Sequence, residues 1–207
     1  MRAVLHFLSF ADATYDFNEH FSPITKIFKA SGKIRDLDVT SECIRRIAKG
    51  DGKEISNTLR KERLRKYRNI RKTATQELLR NLPKIPHESI HQDKIAEYLG
   101  NMLSDIRNKS NKKMNTTRLH GIRKLCKEYL YISRAGGKEI YNRTRENLIH
   151  LDPLQKQIGT WHDYVIASEV IKTIMKTSDA RDHILRILKE KERKYKERAI
   201  KILEIIK

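Results

Sequence analysis

Apolar residues along this 207-residue chain return every three or four positions rather than every second one, the period of a helix with one buried side. Leu59, Tyr67, Ile70, Ala74 and Leu78 form one such stripe, and Ile184, Leu185, Leu188, Ile202 and Ile206 form others. No segment alternates in the manner of a strand, so the pattern predicts an all-α fold. The clearest interruption is Leu82-Pro83-Lys84-Ile85-Pro86-His87, whose two prolines end one helix and open a linker. Lesser breaks are expected at Ser22-Pro23, at Gly50-Asp51-Gly52, in the polar stretch 108–117, at Gly136-Gly137 and at Asp152-Pro153. Residues 1–82 therefore read as a first helical half, 83–92 as a linker and 93–207 as a second helical half, with three or four helices in each.

The two halves share a pattern. Gly32, Asp36, Ser41, Glu42, Ile44 and Ile47 recur at a constant offset of 127 as Gly159, Asp163, Ser168, Glu169, Ile171 and Ile174, and Arg65-Lys66-Tyr67-Arg68 returns as Arg193-Lys194-Tyr195-Lys196. An internal duplication of this kind predicts two pseudo-symmetric helical bundles, whose equivalent side chains would meet around one shared cavity.

Composition adds the sign of that chemistry. Lys and Arg outnumber Asp and Glu 45 to 26, a formal charge of +19, and such an excess calls for a polyanionic partner. The length is enough to bury a sizeable core. No apolar run approaches the roughly 18 residues of a membrane span, so no membrane partner is expected. Cys43 and Cys126 stand outside any C-x-x-C pair and read as buried thiols in a reducing compartment, with no zinc site and no cofactor implied. The opening Met1-Arg2 and the run AVLHFLSFADA have the outline of a signal peptide. His6 interrupts that apolar run, and the segment reads as a helix instead.

The charges are unevenly placed. Arg60, Lys61, Arg63, Arg65, Lys66, Arg68, Arg71 and Lys72 crowd around the single Glu62, and this run reads as a solvated face. The terminal stretch Lys189 to Lys207 mixes Glu190, Glu192 and Glu197 with its lysines, as a salt-bridged outer helix does. Residues 119–131 differ. At about 100° per residue, His120, Arg123, Lys124, Lys127 and Tyr131 fall within an arc of roughly 100°, while Leu119, Ile122, Leu125, Cys126, Tyr129 and Leu130 take the opposite side. Glu128 is displaced to the edge, so the stripe carries donors without an interleaved acid. Arg offers a planar fork, Lys a point charge, His a donor that gains charge in acid and Tyr a neutral hydroxyl, a set suited to phosphate. Downstream, Gln155, Lys156 and His162-Asp163 align with Lys29 and Arg35-Asp36 of the first half. Asp36, Asp38 and Asp163 either cap helix N-termini or orient neighbouring cations.

Two other chemistries compete. His162-Asp163, with His120 upstream and Asp179 or Asp182 downstream, has the order of an HD-type metal phosphohydrolase. The repeat weighs against it, because Arg35 occupies the place of His162 and arginine is not a metal ligand. A nucleic-acid binder follows from charge alone, yet no recognition motif is present and aromatic residues make up 7% of the chain, few for a base-stacking platform.

Three segments carry a family resemblance: Gly32-Lys33-Ile34-Arg35-Asp36-Leu37-Asp38-Val39, the stripe from His120 to Tyr131, and Leu154-Gln155-Lys156-Gln157-Ile158-Gly159-Thr160-Trp161-His162-Asp163. In this order, within a duplicated helical chain, they resemble the CHAD family, the conserved histidine α-helical domain, over nearly the whole length. The resemblance implies two four-helix bundles about a pseudo-twofold axis, with a basic central groove that binds inorganic polyphosphate. It implies no catalytic activity and no catalytic residues, and a cytoplasmic place that extends to polyphosphate granules. The polyphosphate-binding residues expected on this basis are Arg2, His6, Lys29, Lys33, Arg35, His120, Arg123, Lys124, Lys127, Tyr131 and Lys156, with Asp36, Asp38, Gln155 and Asp163 orienting them. Two departures stand out. Arg2 to His6 enters the first His-x-x-Arg helix after its histidine, and Leu130 stands where the family usually has arginine. The first departure leads to the expectation either of a misassigned start or of a first bundle shortened at its N-terminus, its uncovered apolar surface then buried in a homodimer.

Overall fold

The computed structural model describes residues 2–48, 52–77 and 91–206, without the side chains of residues 23, 72–77 and 206. Among these residues the chain forms seven helices and no strand: α1 Arg2–Ala11, α2 Phe17–Ile47, α3 Gly52–Glu77, α4 Gln92–Ser110, α5 Thr116–Ala135, α6 Gly137–Ile174 and α7 Asp179–Ile206. The fold is all-α, as the apolar period requires. The prolines at 83 and 86 lie outside the described residues, as do Asp51 and Leu78.

Helix ends follow local capping chemistry. After α1, the Asp12 carboxylate accepts from the Thr14 amide at 2.8 Å and the Thr14 hydroxyl at 2.6 Å, and Asp16 accepts from the Asn18 amide at 2.6 Å. These two aspartates make the turn into α2, a break the apolar pattern does not announce. Asn115 opens α5 by accepting the Arg118 amide at 2.8 Å. Its far end closes where the Gly136 amide donates to the Ile132 carbonyl at 2.8 Å. Gly137 then turns with φ of 85°, a backbone region that L side chains rarely adopt. Ser178 accepts the Arg181 amide at 3.3 Å and starts α7, with Asp179 and Asp182 in its first turn. The last helix thus begins well before Lys189.

Two expected breaks do not occur. α2 runs through Pro23 and α6 through Pro153. A proline removes one backbone donor and crowds one carbonyl, and buried Leu151 and Leu154 hold α6 on both sides of Pro153. Tyr67, placed in an apolar stripe by its spacing, is exposed.

The chain divides into two compact units, each drawing on both sides of residues 83–92. The first contains the described residues of Met1–Phe21, Pro83–Gly159 and Lys196–Lys207, and the second those of Ser22–Leu82 and Thr160–Tyr195. α2, α6 and α7 contribute to both. In the first unit Leu5, Leu8 and Tyr15 pack with Val4, Phe17 and Phe21, the Phe7 ring meets Tyr98 edge-on at 5.3 Å, and Ile106, Leu119, Ile122 and Cys126 are buried.

The second unit joins both copies of the repeat. Its core contains Leu37, Cys43, Ile44, Ile55 and Leu59 together with Tyr164, Ala167, Ile171, Ile184 and Leu188. The repeat partners Ile44 and Ile171 lie in one cluster. Their neighbours Ser41 and Ser168 behave alike, each donating its hydroxyl to the carbonyl one turn back, Leu37 at 2.9 Å and Tyr164 at 3.0 Å. No described helix is long and apolar enough to cross a membrane.

Candidate functional site

α5 owes its two-sidedness to the spacing of its apolar residues. Leu119, Ile122, Cys126, Tyr129 and Leu130 are buried, which turns the donor stripe away from the core. Lys124 and Tyr131 on that stripe are exposed, while His120 and Lys127 are half-buried. Arg123 departs from the sequence reading: only 7% of it is exposed. On a helical wheel it lies about 20° from Leu130, at the edge of the core, and its guanidinium Nε is enclosed. Arg134 extends the stripe and escaped the sequence reading. Two turns beyond Lys127 it returns to the same face within about 20°, one turn after Leu130, where a cation is lacking. The seven-residue spacing from Lys127 is the sequence signal for it.

The electrostatics fit a donor surface. Burial pushes the His120 pKa below its ordinary value, and the charges of Lys124 and Arg123 push it further down. His6, on α1, is lowered chiefly by burial, with Glu128 opposing and Arg2 adding to the shift. The Arg2 Nε donates to His6 Nε2 at 3.4 Å, and the His6 ring stacks on Phe17 at 4.0 Å. The Arg2 guanidinium lies over the Phe21 ring at 5.7 Å. Glu128, at the edge of the stripe, accepts a hydrogen bond from the Tyr98 hydroxyl of α4 at 2.5 Å. Burial and this carboxylate raise the Tyr98 pKa well above its usual value.

Also in the first unit, Gln155 is half-buried on α6 and Lys156 is exposed. The Lys156 Nζ lies 2.7 Å from Asp152 Oδ2, and Arg134 approaches Asp152 Oδ1 at 3.7 Å. A carboxylate that the sequence marked only as a helix break therefore joins two cations from two helices.

The second unit gathers the rest. Lys29, Lys33 and Arg35 are exposed along α2. Lys33 lines a cleft of about 350 Å³ with Lys26, Ile27, Ala30, Lys66, Asn69 and Ile70. Arg35 approaches Asp163 at 3.9 Å, and Arg63 of α3 is hydrogen-bonded to Asp38. The Asp36 pKa is raised, mainly by burial, with Arg35 working against the shift and Asp163 adding to it. All three aspartates lie within helices, so none is an N-cap, and Asp38 and Asp163 hold arginines instead. Arg63 remains exposed while it meets Asp38, and Arg60, Lys61, Arg65, Arg68 and Arg71 are exposed as well, as a solvated face requires.

The nominated residues thus fall into two sets. Arg2, His6, His120, Arg123, Lys124, Lys127, Tyr131, Gln155 and Lys156 belong to the first unit, and Lys29, Lys33, Arg35, Asp36, Asp38 and Asp163 to the second. His162 is half-buried and meets the edge of Trp161 at 6.2 Å. Among the described residues no group of three or more His, Cys, Asp or Glu side chains is placed to hold a metal ion.

A family model described as CHAD domain matches residues 1–172 of the chain. No curated protein and no solved structure matches it.

Proposed function

Because the chain belongs to the CHAD domain family, we propose that it is a non-catalytic binding module for linear inorganic polyphosphate. The observation that supports this reading is the face of α5, where His120, Lys124, Lys127 and Tyr131 line one side of a helix whose other side is buried, with Arg123 enclosed at the margin. Each donor suits a phosphate oxygen. The ammonium groups supply charge, the imidazole donates from its ring N–H, and the tyrosine hydroxyl donates without charge. A net charge of +19 attracts polyanions from a distance. Affinity then comes largely from release of the counterions condensed on the polyanion, so the logarithm of affinity should fall linearly with the logarithm of salt concentration, as it does for nucleic acids.

Titration of long-chain polyphosphate at several salt concentrations tests the proposal, and absence of binding even at low salt overturns it. Because Arg123 is buried, the informative change is Lys124→Ala with Lys127→Ala. That pair should weaken binding about tenfold or more, as expected when charge-assisted contacts are lost, whereas Lys172→Ala with Lys176→Ala should cost far less. Single-stranded DNA at matched charge should displace polyphosphate poorly. Equal displacement, with equal losses for both lysine pairs, would mean that generic charge governs binding and would favour the nucleic-acid reading.

A further inference from the structure

We propose that Asp152 is a positioning residue of the anion site, holding Arg134 of α5 and Lys156 of α6 side by side as a two-cation clamp. The inference rests on the polyphosphate reading. Its ground is that one carboxylate engages both cations: Oδ2 meets the Lys156 Nζ at 2.7 Å, and Oδ1 faces the Arg134 guanidinium at 3.7 Å. One carboxylate thereby ties together positive groups from two helices. Arg134 continues the donor face of α5, and Lys156 brings a second helix to it.

The solvent exposure of these groups sets what Asp152 can do. The side chains of Arg134 and Lys156 are 57% and 68% exposed, while that of Asp152 is 30% exposed. Long, exposed cations carry large rotamer freedom, and an anion that captures them must freeze it. A half-buried carboxylate that restrains both beforehand lowers that cost. It also cancels one positive charge, which by itself opposes anion binding. The two effects have opposite signs, and positioning wins only if restraint outweighs the lost charge.

Asp152→Asn decides between them, since it keeps the shape of the side chain while making the protein more positive. Polyphosphate titration of the full chain should show binding about three- to tenfold weaker than wild type, the range expected for freeing two side chains. In a background of Arg134→Ala with Lys156→Ala the same change should cause no loss, only the slight tightening that one added positive charge brings. Equal or tighter binding by Asp152→Asn overturns the proposal and leaves Asp152 as a plain neutralising partner. An equal loss in the background lacking both cations also overturns it, because Asp152 would then act through the fold. If wild type itself fails to bind polyphosphate, the underlying reading fails first, and that outcome is distinct from binding by wild type with no loss in the variant.

Discussion

Gly137 shows how one residue sets the path of the chain. Its φ of 85° follows the capped end of α5, and a Cβ built there meets nothing within 4 Å. Gly137→Ala therefore carries backbone strain without a clash, and should lower stability by about 1–2 kcal/mol, read as a fall in the chemical-denaturation midpoint with an unchanged slope. The same scale marks the limit of sequence reading. Which side chains carry charge, and which face of α5 they share, follows from a helical wheel. Which acid each cation meets does not, because Asp38 with Arg63 and Asp152 with Arg134 join residues of different helices. Their register is fixed only by packing. Arg123 teaches the same lesson from the other direction: at the margin between stripe and core, a few degrees decide whether an arginine is exposed or buried.

Among the helices, apolar stripes marked α3, α5 and α7, but several ends were hidden. Prolines 23 and 153 look like stops, yet long helices absorb them, because one missing donor weighs little against an anchored apolar side. The turn at Asp12–Asp16 and the start of α7 depend on single polar side chains, Asp12, Asp16 and Ser178, which a periodicity search passes over. The repeat was more informative than either kind of break. Ile44 of α2 and Ile171 of α6, equivalent in sequence, are both fully enclosed in one cluster. Ile44→Ala and Ile171→Ala should each cost about 2–5 kcal/mol in urea unfolding. The double variant should depart from the sum of the two, because a second cavity opens beside a core that has already relaxed.

For the whole molecule, the balance of charge and protonation sets how it responds to its surroundings. His6 and His120 both titrate below the ordinary histidine value in the folded chain. The unfolded chain therefore takes up protons first as the pH falls, so the stability these residues contribute is present above about 6.5 and is lost as the pH drops through their folded values. Thermal melts of the free protein should show a lower midpoint near pH 5.5 than near pH 7.5, about the range where histidines titrate, and His120→Asn should flatten that dependence. Saturating polyphosphate should flatten it as well, because an anion at the stripe favours the protonated imidazole that the neighbouring cations disfavour. A ligand-bound melt that stays as steep as the free one would show that His120 does not face the anion.

The interleaving of the two units also governs how the protein is made. Leu188 completes the core that Leu37 and Ile44 begin, and Leu203 is enclosed in the other unit. A ribosome must therefore translate through Leu188 before one interior can close and through Leu203 before the other. Until then the nascent chain carries the arginine- and lysine-rich run of residues 60–72 close to ribosomal RNA, itself a polyanion.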